Sequence, residues 1–328
     1  MLWLSEAVVE RLLDRAEAMR LADEAFRLQS TGGAVVPLRS EVVHATTGFS
    51  TLAMPCLVPS QQLGVKVVGS CPGAAVSDPR NTTCYSMVWD ARTLALRGIV
   101  ASDLLNEHRT AAGIAAGTRC LARDDSSVLT LFGAGKLAWA TVRYLCDVRP
   151  IRRVHLVSRT PERVRALADR LASDASLAHV QIDTDASAEQ AVRAADIVTT
   201  ITTSSQPVFS GEWLSAGTHV NLAGAFRPSA REMDDRAAAM ATFWCDSLEA
   251  CLARAGDIRM PLESGAMSRS QIAGEIGAAL DGAAPARTSR EQVTVFKSLG
   301  NAAQDLLLAS SLLDRAAACG SGQTLSQE

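Results

Sequence analysis

The spacing of apolar residues changes period along the chain. Over residues 6–28, Val8, Val9, Leu12, Leu13, Ala16 and Met19 recur at helical spacing, which predicts one amphipathic helix through the opening MLWLSEAVVERLLDRAEAMRLADEAFR. From 34 to 100, short β-rich runs (AVVPLRSEVVHA, GVKVVGS, CYSMVWD, LRGIVA) are separated by Gly, Pro, Ser and Asn, the pattern of a small antiparallel sheet. Residues 105–122 turn helical and dense in alanine. From Ser127 onward SVLTLFG, RVHLVS, HVQID, DIVTTIT and THVNLAG read as strands, the earlier ones separated by helical stretches rich in Ala, Arg and Glu. Such alternation predicts an α/β fold with a doubly wound parallel sheet. Residues 293–318, VTVFKSLGNAAQDLLLASSLLDRAAA, read as one long amphipathic helix before a polar tail.

Composition narrows the function classes. At 328 residues, two domains are expected. A formal net charge of −3 gives no electrostatic footprint for nucleic acid or an anionic membrane. Glu6, Glu10 and Arg11 break the opening segment, so it reads as a helix rather than a secretory leader. No apolar run is long enough to span a bilayer. Eight cysteines are scattered without a Cys-x-x-Cys pair and read as reduced thiols of a cytoplasmic protein. The five histidines show no metal-ligand spacing, so no metal is expected. No nucleophile–base set is apparent either.

The stretch TLFGAGKLAWA, residues 130–140, carries the first chemical signal. A β-branched strand runs into Gly133-Ala134-Gly135, and a helix-compatible segment follows with Ala138 where a third small residue lets helix pack on strand. Glycines there let backbone N–H groups approach a pyrophosphate at a helix N-terminus. The next strand ends Ser158-Arg159-Thr160, with no acid before Glu162. A guanidinium and two hydroxyls suit a 2′-phosphate, which favours NADP(H) over NAD(H). In the other half of the chain three cations stand out: Arg39, Lys66 and Arg109. Lys66 lies inside an apolar strand pattern, where an unpaired ammonium is costly unless it faces a cleft. Arg109-Thr110 opens an alanine-rich helix and presents a bidentate fork suited to a carboxylate.

GVKVVG, Met54-Pro55, EHRTAAG, GAGKLA, TTSSQPVF, GEWLSAGTHVNLAGAFRPSAREMD and VFKSLGNAAQD together resemble the ornithine cyclodeaminase/mu-crystallin family, from about Arg39 to Asp305. Family members transfer hydride between a nicotinamide and an α-amino or α-imino carbon. The resemblance implies a Rossmann-type dinucleotide domain over 119–292. A smaller discontinuous α+β domain, 1–118 with 293–328, would bind substrate and form a homodimer, completed by the last helix. It implies that Arg39, Lys66 and Arg109 grip a substrate carboxylate, with Lys66 nearest the reacting centre and Asn81 and Thr82 lining the pocket. Gly133, Gly135, Lys136, Leu137 and Ala138 would hold the pyrophosphate, with Thr110 also on the cofactor side. Ser158, Arg159 and Thr160 would meet the 2′-phosphate, and Thr202, Thr203 and Ser204 the nicotinamide ribose. Lys297 and Leu299 would close near the nicotinamide.

One departure from the family pattern matters. Cyclodeaminases and archaeal alanine dehydrogenases of the family read Gly-Ala-Asp where this chain has Gly224-Ala225-Phe226. A phenyl ring handles no amine protons, so the expected reaction is reduction of an α-imino acid, such as the cyclic ketimines pyrroline- or piperideine-2-carboxylate. Phe226 would then be a wall of the substrate pocket; the competing placement buries it and turns Arg227 or Asp234 inward. Alternatives are an oxidative amino-acid or amino-acid-conjugate dehydrogenase of the 2,3-diaminopropionate-forming type, an ornithine/lysine cyclodeaminase, and a non-catalytic, crystallin-like nucleotide-binding protein.

Overall fold

The β-branched runs become strands of two separate sheets in the computed structural model, which describes residues 1–59, 61–71 and 82–326. The chain opens with β1 (Leu2–Leu4), α1 (Glu6–Leu12), α2 (Arg15–Thr31), β2 (Ser40–Val43), β3 (Ser50–Val58), β4 (Gln62–Ser70), β5 (Thr82–Asp90), β6 (Leu96–Ala101) and α3 (Asp103–Leu121). There follow β7 (Val128–Phe132), α4 (Ala138–Val148), β8 (Arg153–Val157), α5 (Pro161–Ala172), β9 (Gln181–Asp183), α6 (Ala188–Ala194), β10 (Ile197–Thr200) and β11 (His219–Leu222). Next come α7 (Asp235–Met240), β12 (Ala241–Cys245), α8 (Leu248–Arg254), α9 (Gly256–Ser264), β13 (Ile272–Glu275), α10 (Ile276–Leu280) and β14 (Val293–Lys297). The chain ends in α11 (Ala302–Cys319) and β15 (Gln323–Thr324). It divides into two units, Met1–Arg109 with Asn301–Glu328, and Thr110–Gly300.

In the first unit the strand order is β15-β1-β6-β5-β4-β3-β2, with β2 to β6 antiparallel. One face of β3, β4 and β5 lies under α11. Register sets the opposite face: the cross-strand rows Ala53–Val67–Tyr85, Pro55–Val65–Met87 and Leu57–Leu63–Trp89 carry nine apolar side chains and no charge. Leu57 and Tyr85 on this face are exposed. The opening segment is not one helix. Leu2–Leu4 is a strand paired parallel to β6, and the helix breaks at Leu13, because the Asp14 carboxylate accepts from the Glu17 N–H at 2.9 Å and starts α2 afresh.

The second unit holds an eight-stranded sheet, order β13-β12-β14-β11-β10-β7-β8-β9, parallel throughout. Residues 293–297 are not the start of the last helix. Val293, Thr294, Val295 and Phe296 form a buried β-branched and aromatic run that pairs with β11 and β12. The helix starts only after Asn301, whose side chain accepts from the Ala303 N–H at 2.8 Å in a capping box with Gln304. The sheet's centre is polar. Buried His219 contacts Thr294 and Asn221, each at 3.0 Å, and the Asn221 amide donates to Thr118 and Thr199. Burial pushes the His219 pKa down to about 3. Among the described residues no helix is long and apolar enough to cross a membrane.

Candidate active site

The first unit buries a cluster of charge. Lys66, on β4 between Met54 of β3 and Ser86 of β5, faces inward and is only 3% exposed. Its ammonium donates to Asn106 Oδ1 at 2.6 Å and to Asp305 Oδ1 at 2.9 Å. Arg109 donates to the same Asn106 oxygen at 2.6 Å, and its Nε lies 3.1 Å from the same Asp305 oxygen. Arg109 does not open its helix: α3 starts at Asp103, so Arg109 stands nearly two turns inside, one turn from Asn106 on the same face. Among the described residues two cations therefore share one carboxylate, a buried excess of one positive charge. Burial and then the neighbouring Arg109 guanidinium push the Lys66 pKa below the usual lysine value, against the pull of Asp305.

Other residues expected here fall at different distances. Half-buried Arg39 directly precedes β2, whose first residue, Ser40, pairs with Ala53 of β3. Thr82, the first residue of β5, stands four residues from Ser86, about 13 Å along the strand at ~3.3 Å per residue. The strand therefore separates Thr82 from Lys66. Asn81 lies outside the described residues. Asn106 and Asp305 were not singled out from the sequence. An acid inside the apolar run NAAQDLLLA was the available signal, because buried carboxylates are rare unless paired.

The second unit carries a glycine turn with free backbone donors. Gly133 has φ +108° and follows β7; a Cβ there would come within 2.9 Å of the Ile201 carbonyl at the end of β10. This pairing of turns lies at the switch point, where the chain winds from β7 to β8 on one side and from β10 to β11 on the other. The Gly133 N–H is taken by the Val157 carbonyl at 2.9 Å, so it is not a donor for a ligand. The N–H groups of Ala134, Gly135, Lys136 and Leu137 make no hydrogen bond among the described residues. Gly135 and Lys136 are exposed, and a side chain at Gly135 would meet no atom of the chain. Leu137 caps α4, and buried Ala138 seats the helix on the sheet. Four free donors at a helix N-terminus fit a dinucleotide pyrophosphate. At the end of β8, Arg159 is exposed between half-buried Ser158 and Thr160, with no carboxylate among these residues. Thr110 is half-buried in α3.

A carboxylate unnoticed in the sequence organises the neighbouring loops. Fully buried Glu232 accepts from Thr202 N–H at 2.7 Å, Thr202 Oγ1 at 2.8 Å, Gly224 N–H at 2.8 Å and Ala225 N–H at 3.0 Å. Gly224 has room for no side chain, since a Cβ would lie 2.2 Å from Thr202 backbone atoms. Asp257 in turn accepts from the Glu232 N–H at 2.6 Å and from Lys297 Nζ at 2.8 Å. The Lys297 side chain is therefore not presented to a cofactor. It is fully buried, and although burial opposes its charge, Asp257 and Glu232 raise its pKa. Leu299 is buried at the loop after β14, its N–H on Asp246. Thr203 is exposed, and the Ser204 hydroxyl donates to Gln206 O at 2.7 Å. Phe226 is 40% exposed, not in the core, with the Arg227 guanidinium 5.6 Å from its ring centre. Asp234 is occupied as the cap of α7, accepting from Ala237 at 2.8 Å.

The sequence pattern of the ornithine cyclodeaminase/mu-crystallin family matches residues 1–320. The chain belongs to that family. Family relatives include a Delta(1)-pyrroline-2-carboxylate reductase of Bacillus cereus, 32% identical over 328 residues and 99% of both chains. The ketimine reductase mu-crystallin of Mus musculus is 31% identical over 284 residues, 86% of each. Among solved structures, Thermococcus litoralis Delta(1)-pyrroline-2-carboxylate reductase in complex with NADH and L-proline superposes with a TM-score of 0.94 at 28% identity, covering 99% of this chain and 100% of that one.

Proposed function

We propose that this family member is an NAD(P)H-dependent reductase that converts a cyclic α-imino acid, such as pyrroline- or piperideine-2-carboxylate, to the α-amino acid. The observation that carries the reading is the buried excess cation at Lys66, Arg109 and Asp305, which calls for one carboxylate. Arg39, Lys66 and Arg109 take that carboxylate and fix the C=N bond beside the lysine. The hydride for the imine carbon would be supplied by a reduced nicotinamide when one is bound. Lys66, whose ammonium is an easier acid than ordinary lysine, gives its proton to the imine nitrogen. The exposed Phe226 ring offers an apolar wall where cyclodeaminases of the family carry an acid.

The free N–H groups of residues 134–137 hold the pyrophosphate, with Thr202, Thr203 and Ser204 on the nicotinamide side. Arg159, flanked by Ser158 and Thr160, favours NADPH over NADH. The first unit binds substrate and dimerises through the apolar rows of β3, β4 and β5, since an open face of that kind is covered in stable proteins. A panel of cyclic and linear imino acids with NADPH and NADH, followed at the nicotinamide absorbance band, tests the reading. Turnover confined to α-imino acids supports it, and no turnover with any of them refutes it.

A further inference from the structure

We propose that Asp305 is the positioning residue for the proton donor: its carboxylate keeps Lys66 an ammonium and leaves one N–H of that ammonium for the substrate. The role rests on the reductase reading above. An ammonium has three donors. Two are committed, to Asn106 Oδ1 at 2.6 Å and to Asp305 Oδ1 at 2.9 Å, and among the described residues the third has no acceptor.

The groups facing Lys66 come from four elements. Arg109 and Asn106 belong to α3, Asp305 to α11, Cys84 and Ser86 to β5, and Met54 to β3. The thiols do not compete for the proton at ordinary pH, because burial pushes Cys84 up to about 11 and nearby Cys56 up to about 12. Asp103 is turned to the Cys84 N–H at 2.8 Å. Among the described residues, Asp305 is thus the one carboxylate in contact with the ammonium. Lys66, Arg109 and Asp305 sum to one positive charge, which a bound carboxylate offsets. Without Asp305 two cations would share a buried site. The arginine cannot release its proton, so the lysine would. The acid needed for the imine nitrogen would then be missing at neutral pH.

The composition of the chain makes a direct test available. Its only lysines are Lys66, Lys136 and Lys297. With 15Nζ-labelled lysine, the three side chains titrate as three resonances, with exposed Lys136 and buried, paired Lys297 as internal references. In Asp305→Asn the Lys66 midpoint should move at least one pH unit to the acid side, while Lys136 and Lys297 stay in place. In the same full-length variant the alkaline limb of kcat should move with it. On the acid plateau KM for the imino acid should fall, because the cations left without Asp305 hold its carboxylate more tightly. Asn106→Asp places a second carboxylate on the atom that serves both cations, and should move the Lys66 midpoint to the alkaline side and raise KM. A uniform loss of kcat with an unmoved Lys66 midpoint would make Asp305 merely structural. Should Asp305→Asn fail to fold, an unmoved midpoint in Asn106→Asp overturns the proposal. The NMR titration needs no turnover, so a wild type that reduces no imino acid would refute the reductase reading separately.

Discussion

The Lys297 ammonium donates to Asp257 at 2.8 Å and to the Ala225 carbonyl at 2.6 Å, anchoring from inside the sheet the residue that precedes Phe226. Both charged groups are fully buried. Removing one partner leaves an uncompensated charge, a loss of roughly 3–5 kcal/mol. Lys297→Met should therefore lower Tm on the order of 10 °C. Lys297→Met combined with Asp257→Leu should recover much of that fall. Thermal melts of Lys297→Met, Asp257→Leu and the double variant decide it, and a double-variant loss equal to the sum of the two single losses would mean that the pair is not coupled.

Arg159 is expected to read the 2′-phosphate. Arg159→Ala should weaken NADPH by about 1.5–3 kcal/mol, the range for a lost charged hydrogen bond, with NADH unchanged. Fluorescence titration of both nucleotides measures this. Equal weakening of the two would remove Arg159 from the role.

How much was legible beforehand differs between turn and cluster. The Gly133–Gly135 turn is local chemistry, a strand and a helix joined through Gly133, whose positive φ favours glycine, so the sequence displays it. The strand at 293–297 was concealed because it is continuous with the helical pattern of 302–319, and only its partners β11 and β12 decide between the two. The burial of Lys297 was hidden for the same reason: its partner Asp257 lies 40 residues away and meets it only in the fold. Lys66 was legible as an anomaly in an apolar strand. Its partner Asp305 lies 239 residues on, and one sequence carries no signal that joins them.

Phe226 should separate the reactions of the family. The wild type is expected to release no ammonia and form no proline from ornithine, since no carboxylate replaces the family aspartate at that position. Phe226→Asp should change which substrates are accepted while leaving nucleotide binding intact. An ammonia assay with ornithine checks the first point, and robust release by the wild type would overturn the assignment.

Acid sensitivity follows from His219. Its folded pKa of about 3 lies below the ordinary 6.5, so the unfolded chain takes up a proton that the folded one refuses. The stability this provides is fully present above pH 6.5 and is lost as pH falls from there toward 3. Urea unfolding between pH 6.5 and 4.5 should show a steeper loss for the wild type than for His219→Gln, the difference approaching about 1.4 kcal/mol per pH unit. Identical slopes would show that His219 carries no such linkage.

A buried surplus of positive charge should select the substrate by its carboxylate. The most direct measurement compares kcat/KM for pyrroline-2-carboxylate with that for 1-pyrroline, the same ring lacking the carboxylate, using NADPH and the wild-type enzyme. A preference of roughly a thousandfold or more is expected, from a charged pair left unmade in a desolvated site. It should collapse in Arg109→Gln. Comparable efficiencies for the two rings would show that the buried cations do not select the carboxylate.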